Sequence, residues 1–347
     1  MSTFVPGRDL CAAFYRDVLA PVLDVPHSAG LLGPGSDVLG YDTERSTDHD
    51  WGPRALILVA EGERQRCRER IRGVLPATYG GWSVSMGHDG LPPEPRVDVL
   101  SPSEWLRSQF GFDPTSRPLS AADWLLLPQQ RILGVVAGAV FADDTGVLGA
   151  ARALLARYPD DVWWWLVAAL WRRLDQEEPF VHRTAEVGDA LGSAVLAARQ
   201  VRDCMRLALM LGRRHAPYSK WLGTASAGLP DHDGLGRALG AAVATPDLPE
   251  REAALGAAYT ALGTRFNDVY PGEPVDASLR PFWDRPARVL GADRFARAAL
   301  GEVRDQGLRQ FPLIGSVDHL ADSTDVLGNP VLVAALRPIY AAVDSPL

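Results

Sequence analysis

The chain has 347 residues, 47% of them hydrophobic and 22% charged. That globular balance excludes extended disorder and, at roughly 100–200 residues per domain, predicts two domains. A net charge of −8 argues against a broad basic surface for duplex nucleic acid, yet leaves room for a local cation cluster around one small polyphosphate.

Residues 9–20 carry Leu10, Phe14 and Val18 at helical spacing, closed by Pro21. A Gly-rich turn follows at Gly30-Leu-Leu-Gly-Pro-Gly-Ser36. The run Ala55-Leu-Ile-Leu-Val59 has the length of a buried strand, and 61–74 is charged and helical in composition. Strands are predicted at 82–86 and 96–100, with a Gly/Pro loop at 87–95 between them. After Pro118 the pattern turns helical: 121–174, broken near Asp143-Asp-Thr-Gly146 and Pro159, then 186–215, 249–266, 288–306 and 331–342. In 186–215, Val187, Leu191, Val195, Val201, Met205 and Leu209 predict a mostly buried helix. No repeat of fixed period is present. The expected boundary is at 118, with an α/β region at 1–118 and a helical region at 119–347. Cys11, Cys67 and Cys204 form neither a disulfide framework nor a zinc spacing. Residues 1–10 hold no apolar signal core, and no apolar run approaches the roughly 18 residues of a membrane helix. A cytoplasmic protein is expected.

The chemistry concentrates in one turn and three acids. Asp48 and Asp50 stand at i and i+2 in Thr47-Asp-His-Asp-Trp51, with 11 residues between Ser36 and Asp48. In an extended segment two such carboxylates point to one side, and a cation between them relieves their repulsion. Hard oxygen ligands suit Mg²⁺ or Mn²⁺, with substrate phosphates completing the shell. Asp98, flanked by Val97 and Val99 in a predicted strand, is placed to join them across adjacent strands. Gly35 lets backbone approach an anion, Ser36 adds a hydroxyl donor, and a helix starting after Ser36 offers free N–H groups. This predicts a triphosphate held between Gly35-Ser36 and metal on Asp48, Asp50 and Asp98, set for in-line displacement.

Gly35-Ser36, Asp48-x-Asp50 and the later strand acid Asp98 together resemble the DNA polymerase beta-type nucleotidyltransferases. Five segments are similar, more narrowly, to a bacterial family, the domain of unknown function 4037. They are Gly35-Ser-Asp-Val-Leu-Gly-Tyr-Asp42, Ser46-Thr-Asp-His-Asp-Trp-Gly-Pro53, Arg199-x-x-Arg-Asp203, Ala216-Pro-Tyr-Ser-Lys-Trp221 and Gly315-Ser-Val-Asp-His-Leu-Ala-Asp-Ser-Thr-Asp-Val326. The resemblance implies an α+β fold: a nucleotidyltransferase α/β domain with a mixed sheet, then a mostly α-helical domain that binds nucleotide and acceptor. It also implies a metal-dependent transfer of a nucleoside monophosphate to a small-molecule acceptor, with release of pyrophosphate. His49 stands where the broad superfamily usually has an apolar residue.

Each feature also has a plain structural reading. Asp48 and Asp50 can serve a solvated turn, Asp98 a surface ion pair and Ser36 a helix cap. Arg199, Arg202 and Arg206 share one helix face, either as a cationic wall for phosphates or as a salt-bridged surface. Lys220, in a predicted loop, would act as a point charge near triphosphate. Tyr218 and Trp221 either stack on a base or pack in the core. Trp163-Trp-Trp165 and Trp171 are expected in helix packing. Glu186, Asp189 and Asp203 are candidates for a general base, and His49 for orienting an acid or the acceptor. Asp318, Asp322 and Asp325 either bind a cationic acceptor or cap the final helices. Two other functions fit the same residues: a non-catalytic nucleotide-binding regulator, and nucleotidylation of a protein or RNA.

Overall fold

Apolar runs at 28–31 and 55–58 pair to form the centre of a sheet, because both are buried at every position. The computed structural model describes residues 4–87, 92–231 and 233–341. Strands β1 (Ser28–Leu31), β2 (Ala55–Leu58), β3 (Val97–Leu100) and β4 (Ala139–Asp143) lie in the order β3-β2-β1-β4. β1 runs antiparallel to β2 and to β4, and β2 runs parallel to β3, so the sheet is mixed. One face is closed by Phe14, Leu19, Ile57, Ile71 and Val99, all at most 2% exposed.

Several expectations are corrected. β1 ends inside the stretch read as a Gly-rich turn, and Gly30 pairs with Leu56. β4 falls inside the stretch read as helical, where the short apolar run Ala139-Val-Phe-Ala142 cannot be told from a helix segment by periodicity. The expected strand at 82–86 divides into two-residue strands, Trp82–Ser83 and Ser85–Met86, in separate hairpins. Of the expected loop at 87–95, residues 88–91 lie outside the described residues, as does residue 342 of the helix expected at 331–342.

The chain forms two compact units. The first comprises Met1–Ser120, Leu127–Arg157 and Thr324–Ala334, and the second Ala121–Leu126, Tyr158–Ser323 and Ala335–Leu347. A single cut at 118 is therefore replaced by an exchange of segments: the pairing of β4 with β1 binds 127–157 to the sheet. The fold is α+β, with a mixed sheet in the first unit and mostly helices in the second.

In the helical unit the helix Asp160–Glu177 is central. Consecutive residues of a helix point in different directions, yet Trp163, Trp164 and Trp165 are all buried, so this helix is surrounded. The helices Ala190–Leu211 and Asp293–Gly301 pack on it. The apolar stripe expected along 186–215 is buried mainly in the second half of Ala190–Leu211: Leu191 and Val195 are 76% and 60% exposed, and Val187, which precedes this helix, is 81% exposed, against the expectation. The helix predicted at 288–306 starts later, at Asp293, because Arg288–Val289 pairs with Arg280–Pro281. Among the described residues no helix is long and apolar enough to cross a membrane.

Glu178 joins two parts of this unit. Its carboxylate accepts backbone N–H bonds from Leu290, Gly291 and Ala292 at 2.9, 3.0 and 3.3 Å. Burial outweighs those donors and pushes its pKa from 4.5 to about 7. The folded chain thus holds this proton more tightly than the unfolded chain. The group's contribution to stability is full below pH 4.5 and is lost as pH rises through about 7. Urea unfolding across that window should show a falling stability that Glu178→Gln flattens; parallel profiles would refute it.

Candidate functional site

β1 leads into a turn that only glycine can complete. Gly33 and Gly35 have φ of 95° and 141°. A Cβ on Gly35 would lie 2.2 Å from Asp37 Oδ1 and 2.6 Å from Arg54 Nη2. Helix Ser36–Leu39 starts at Ser36 with Gly35 as its N-cap residue and no side-chain cap, and Gly40 (φ 74°) ends it. Ser36 is therefore not the cap. The acid beside it has the larger structural part: Asp37, 2% exposed, takes bonds from Arg54 Nε at 3.2 Å and Nη2 at 2.7 Å. Arg54 Nη2 also donates to the Pro34 carbonyl at 3.0 Å. This buried pair clamps the turn to the entry of β2.

Beside the turn lies a cavity of about 450 Å³. A row of registered residues crosses it from strand to strand: Gly30 of β1 opposite Leu56 of β2, and Leu56 opposite Asp98 of β3. Gly33, Pro34, Arg54, Arg96 and Glu94 also line it. Asp98 is exposed, and among the described residues it has no hydrogen-bond or ion-pair partner. Burial lowers the Arg96 pKa, and neighbouring Arg54 adds to that effect, while Asp50 and Asp37 oppose it. Asp50 is thus within electrostatic reach of the arginine that lines the cavity.

The acid pair is placed differently from the expectation. Asp48 ends a 3₁₀ turn, Glu44–Asp48, and Asp50 has a φ of 51°, so only His49 between them is extended and the two acids do not share one extended strand. Leu56, not an acid of the pair, stands opposite Asp98. Asp48, His49 and Asp50 are all exposed, and His49 Nδ1 lies 2.7 Å from Asp48 Oδ1. That contact lowers the Asp48 pKa. The loop is anchored just beyond the acids, where buried Trp51 donates to Asp42 Oδ2 at 2.9 Å and packs edge-on against Trp82 at 4.7 Å. Among the described residues no group of three or more His, Cys, Asp or Glu is placed to hold a metal ion together. The donor chemistry at the cavity still fits a hard cation. Asp98 and Glu94 are exposed carboxylates, and Mg²⁺ commonly takes one or two of these with phosphate oxygens and water.

In the helical unit, Arg202 donates through Nη1 to both oxygens of Asp322, at 2.9 and 2.8 Å, and Arg199 pairs with Glu177 at 3.1 Å. Lys220 is not in a loop but in the first turn of the helix Ser219–Ala227, exposed, with its ammonium 5.1 Å from the Trp221 ring centre. Trp221 in turn donates to Tyr218 Oη at 2.7 Å. The general-base candidates are all engaged: Glu186 by His182 and Arg285, Asp189 as the N-cap of Ala190–Leu211, and Asp203 by Arg173 at 2.8 Å. Sequence reasoning passed over Asp37, Arg54, Glu94 and Arg96. A signal existed for two of them: an acid directly after Gly-Ser, and an arginine directly before an apolar strand.

Comparison with known proteins adds the following. No curated protein matches the chain. Among solved structures, a nucleotidyltransferase-like protein from Exiguobacterium sibiricum 255-15 is similar at 12% identity and a TM-score of 0.34. The likeness covers 87% of this chain and 91% of that one, and is too remote to carry an argument. A family match falls on residues 124–222, which include Arg199-x-x-Arg-Asp203 and Ala216–Trp221 and exclude the cavity just described. Over residues 124–222 the chain is similar to the family described as Domain of unknown function (DUF4037).

Proposed function

We propose that this chain is a metal-dependent nucleotidyltransferase that moves a nucleoside monophosphate from a nucleoside triphosphate to a hydroxyl or phosphate of a small-molecule acceptor, releasing pyrophosphate. The observation that carries the reading is Asp98, an unpartnered carboxylate in the registered row that lines the cavity beside the Gly33–Ser36 turn. The cavity volume, about 450 Å³, is in the range of small-molecule sites.

In this reading the backbone at Gly35 and the hydroxyl of Ser36 bind phosphate, and Asp37 with Arg54 keeps the turn in shape. Asp98 holds the cation, with Asp48 and Asp50 as its further proposed ligands. When bound, Mg²⁺ or Mn²⁺ would draw negative charge from the phosphates. Arg202 and Lys220 are the proposed phosphate-facing cations of the helical unit. One observation favours a second reading, a nucleotide-binding regulator without turnover: Asp48, Asp50 and Asp98 are not gathered as one metal-holding group.

The deciding measurement is pyrophosphate release by the full chain with ATP, GTP, CTP or UTP, Mg²⁺, and pools of hydroxylated and phosphorylated small molecules. Chelator-sensitive release that depends on one pool supports transfer. Calorimetric nucleotide binding with no release from any pool would leave the regulator as the function.

A further inference from the structure

A second cavity, of about 580 Å³, lies wholly within the helical unit. Arg173, Arg199, Arg202, His319 and Asp322 line it. Arg199, Arg202 and Arg206 share a face of the helix Ala190–Leu211, and the short helix Val317–Leu320 supplies His319. Two of the segments that the sequence singled out, 199–203 and 315–326, thus meet here. Arg173 Nη1 donates to the His319 carbonyl at 3.1 Å, and Arg202 Nη1 to the Asp322 carboxylate.

The charges are matched, but the hydrogen-bond donors are not. His319 Nε2, Arg202 Nε and Arg206 Nη1 are buried and have no hydrogen-bond partner among the described residues. The Asp203 oxygen nearest Arg202 Nε is 4.0 Å away, beyond hydrogen-bond range. His319 is only 5% exposed, and its Nδ1 accepts from the Ser316 backbone N–H at 2.9 Å. The remaining ring proton is therefore on Nε2, pointing a donor at no acceptor. Burial, with Arg206, Arg173 and Arg202 nearby, holds this imidazole well below its ordinary pKa and so neutral. Orphaned buried donors are rare in native folds, and two on residues that line one cavity, Arg202 and His319, with a third on neighbouring Arg206, call for acceptor atoms from outside the chain.

We propose that this cavity binds a phosphoryl group, and that Asp322 occupies part of its place until the anion enters. Both Asp322 oxygens accept from one nitrogen of Arg202, and neither reaches the orphaned donors. A phosphoryl group brings three terminal oxygens, enough to satisfy Arg202 and the orphaned donors together. The Asp322 side chain is 67% exposed and lies in the non-helical stretch 321–323, so it can turn outward into water. The inference does not rest on nucleotide transfer by the α+β unit.

The test is calorimetry on the full chain with inorganic phosphate and with methyl phosphate, each at constant ionic strength against chloride. Saturable binding is expected, tightened about 10-fold by Asp322→Asn and weakened at least about 10-fold by Arg202→Gln, the size of one charge-assisted hydrogen bond. A preference between the two probes identifies free phosphate or a phosphate ester as the natural ligand. Three results would each overturn the proposal: no saturable binding by the parent or Asp322→Asn, the same tightening with chloride, or unaltered affinity in Arg202→Gln.

Discussion

Asp98→Asn is expected to lower the proposed pyrophosphate release by about 100-fold or more while leaving thermal stability within about 0.5 kcal/mol of the parent. Both halves follow from the same facts. Asp98 is exposed and partnerless, so neutralising it breaks no contact among the described residues. As a cation ligand it would support several kcal/mol of charge stabilisation in phosphoryl chemistry, which Asn cannot replace. Asp48→Asn and Asp50→Asn belong in the same experiment, because their loop is turned and exposed and Leu56 takes the place opposite Asp98. Full activity in Asp98→Asn would remove the cavity from the reaction. Full activity in the two loop variants alone would leave Asp98 as the essential acid.

Arg54→Met destabilises the α+β unit by about 3–5 kcal/mol, the cost of leaving a buried carboxylate without its partner. The side chains of Asp37 and Arg54 are 3% and 12% exposed, and the pair is held by two hydrogen bonds. The double variant Asp37→Leu/Arg54→Met should recover much of the loss, since removing both charges removes the desolvation cost along with the attraction. Its turn would still lack the Arg54 bond to the Pro34 carbonyl, so nucleotide affinity should stay below the parent's even where stability returns. Urea unfolding of the three variants, paired with nucleotide titration, separates the clamp's two effects. Equal stability of Arg54→Met and the parent would show that the pair is replaceable by water.

Local pattern carried much of the fold. Ala55–Leu58 and Val97–Leu100 are strands because short apolar or alternating runs bounded by turn residues have few other solutions. The turn at 33–36 was legible because its glycines need backbone that other residues rarely adopt. The tryptophans at 163–165 were legible as helix-packing residues, and all three are buried. Asp98 was legible as an acid within a strand, and its exposure agrees with the alternation around Val97 and Val99.

What the sequence by itself determined, then, is what neighbours along the chain decide: which segments are strands or helices, where the glycine turn must be, and which acids and arginines are available. Tertiary structure alone decided which of them meet. It carried residues 139–143 back to β1, set Gly30, Leu56 and Asp98 in one row, and matched Asp37 with Arg54 across 17 residues and Arg202 with Asp322 across 120. It also left Val187, Leu191 and Val195 in water although their spacing reads as a core face. The reason is physical. Periodicity records what one element offers to bury, whereas register, ion pairs and cavities depend on a partner whose distance along the chain no local pattern encodes.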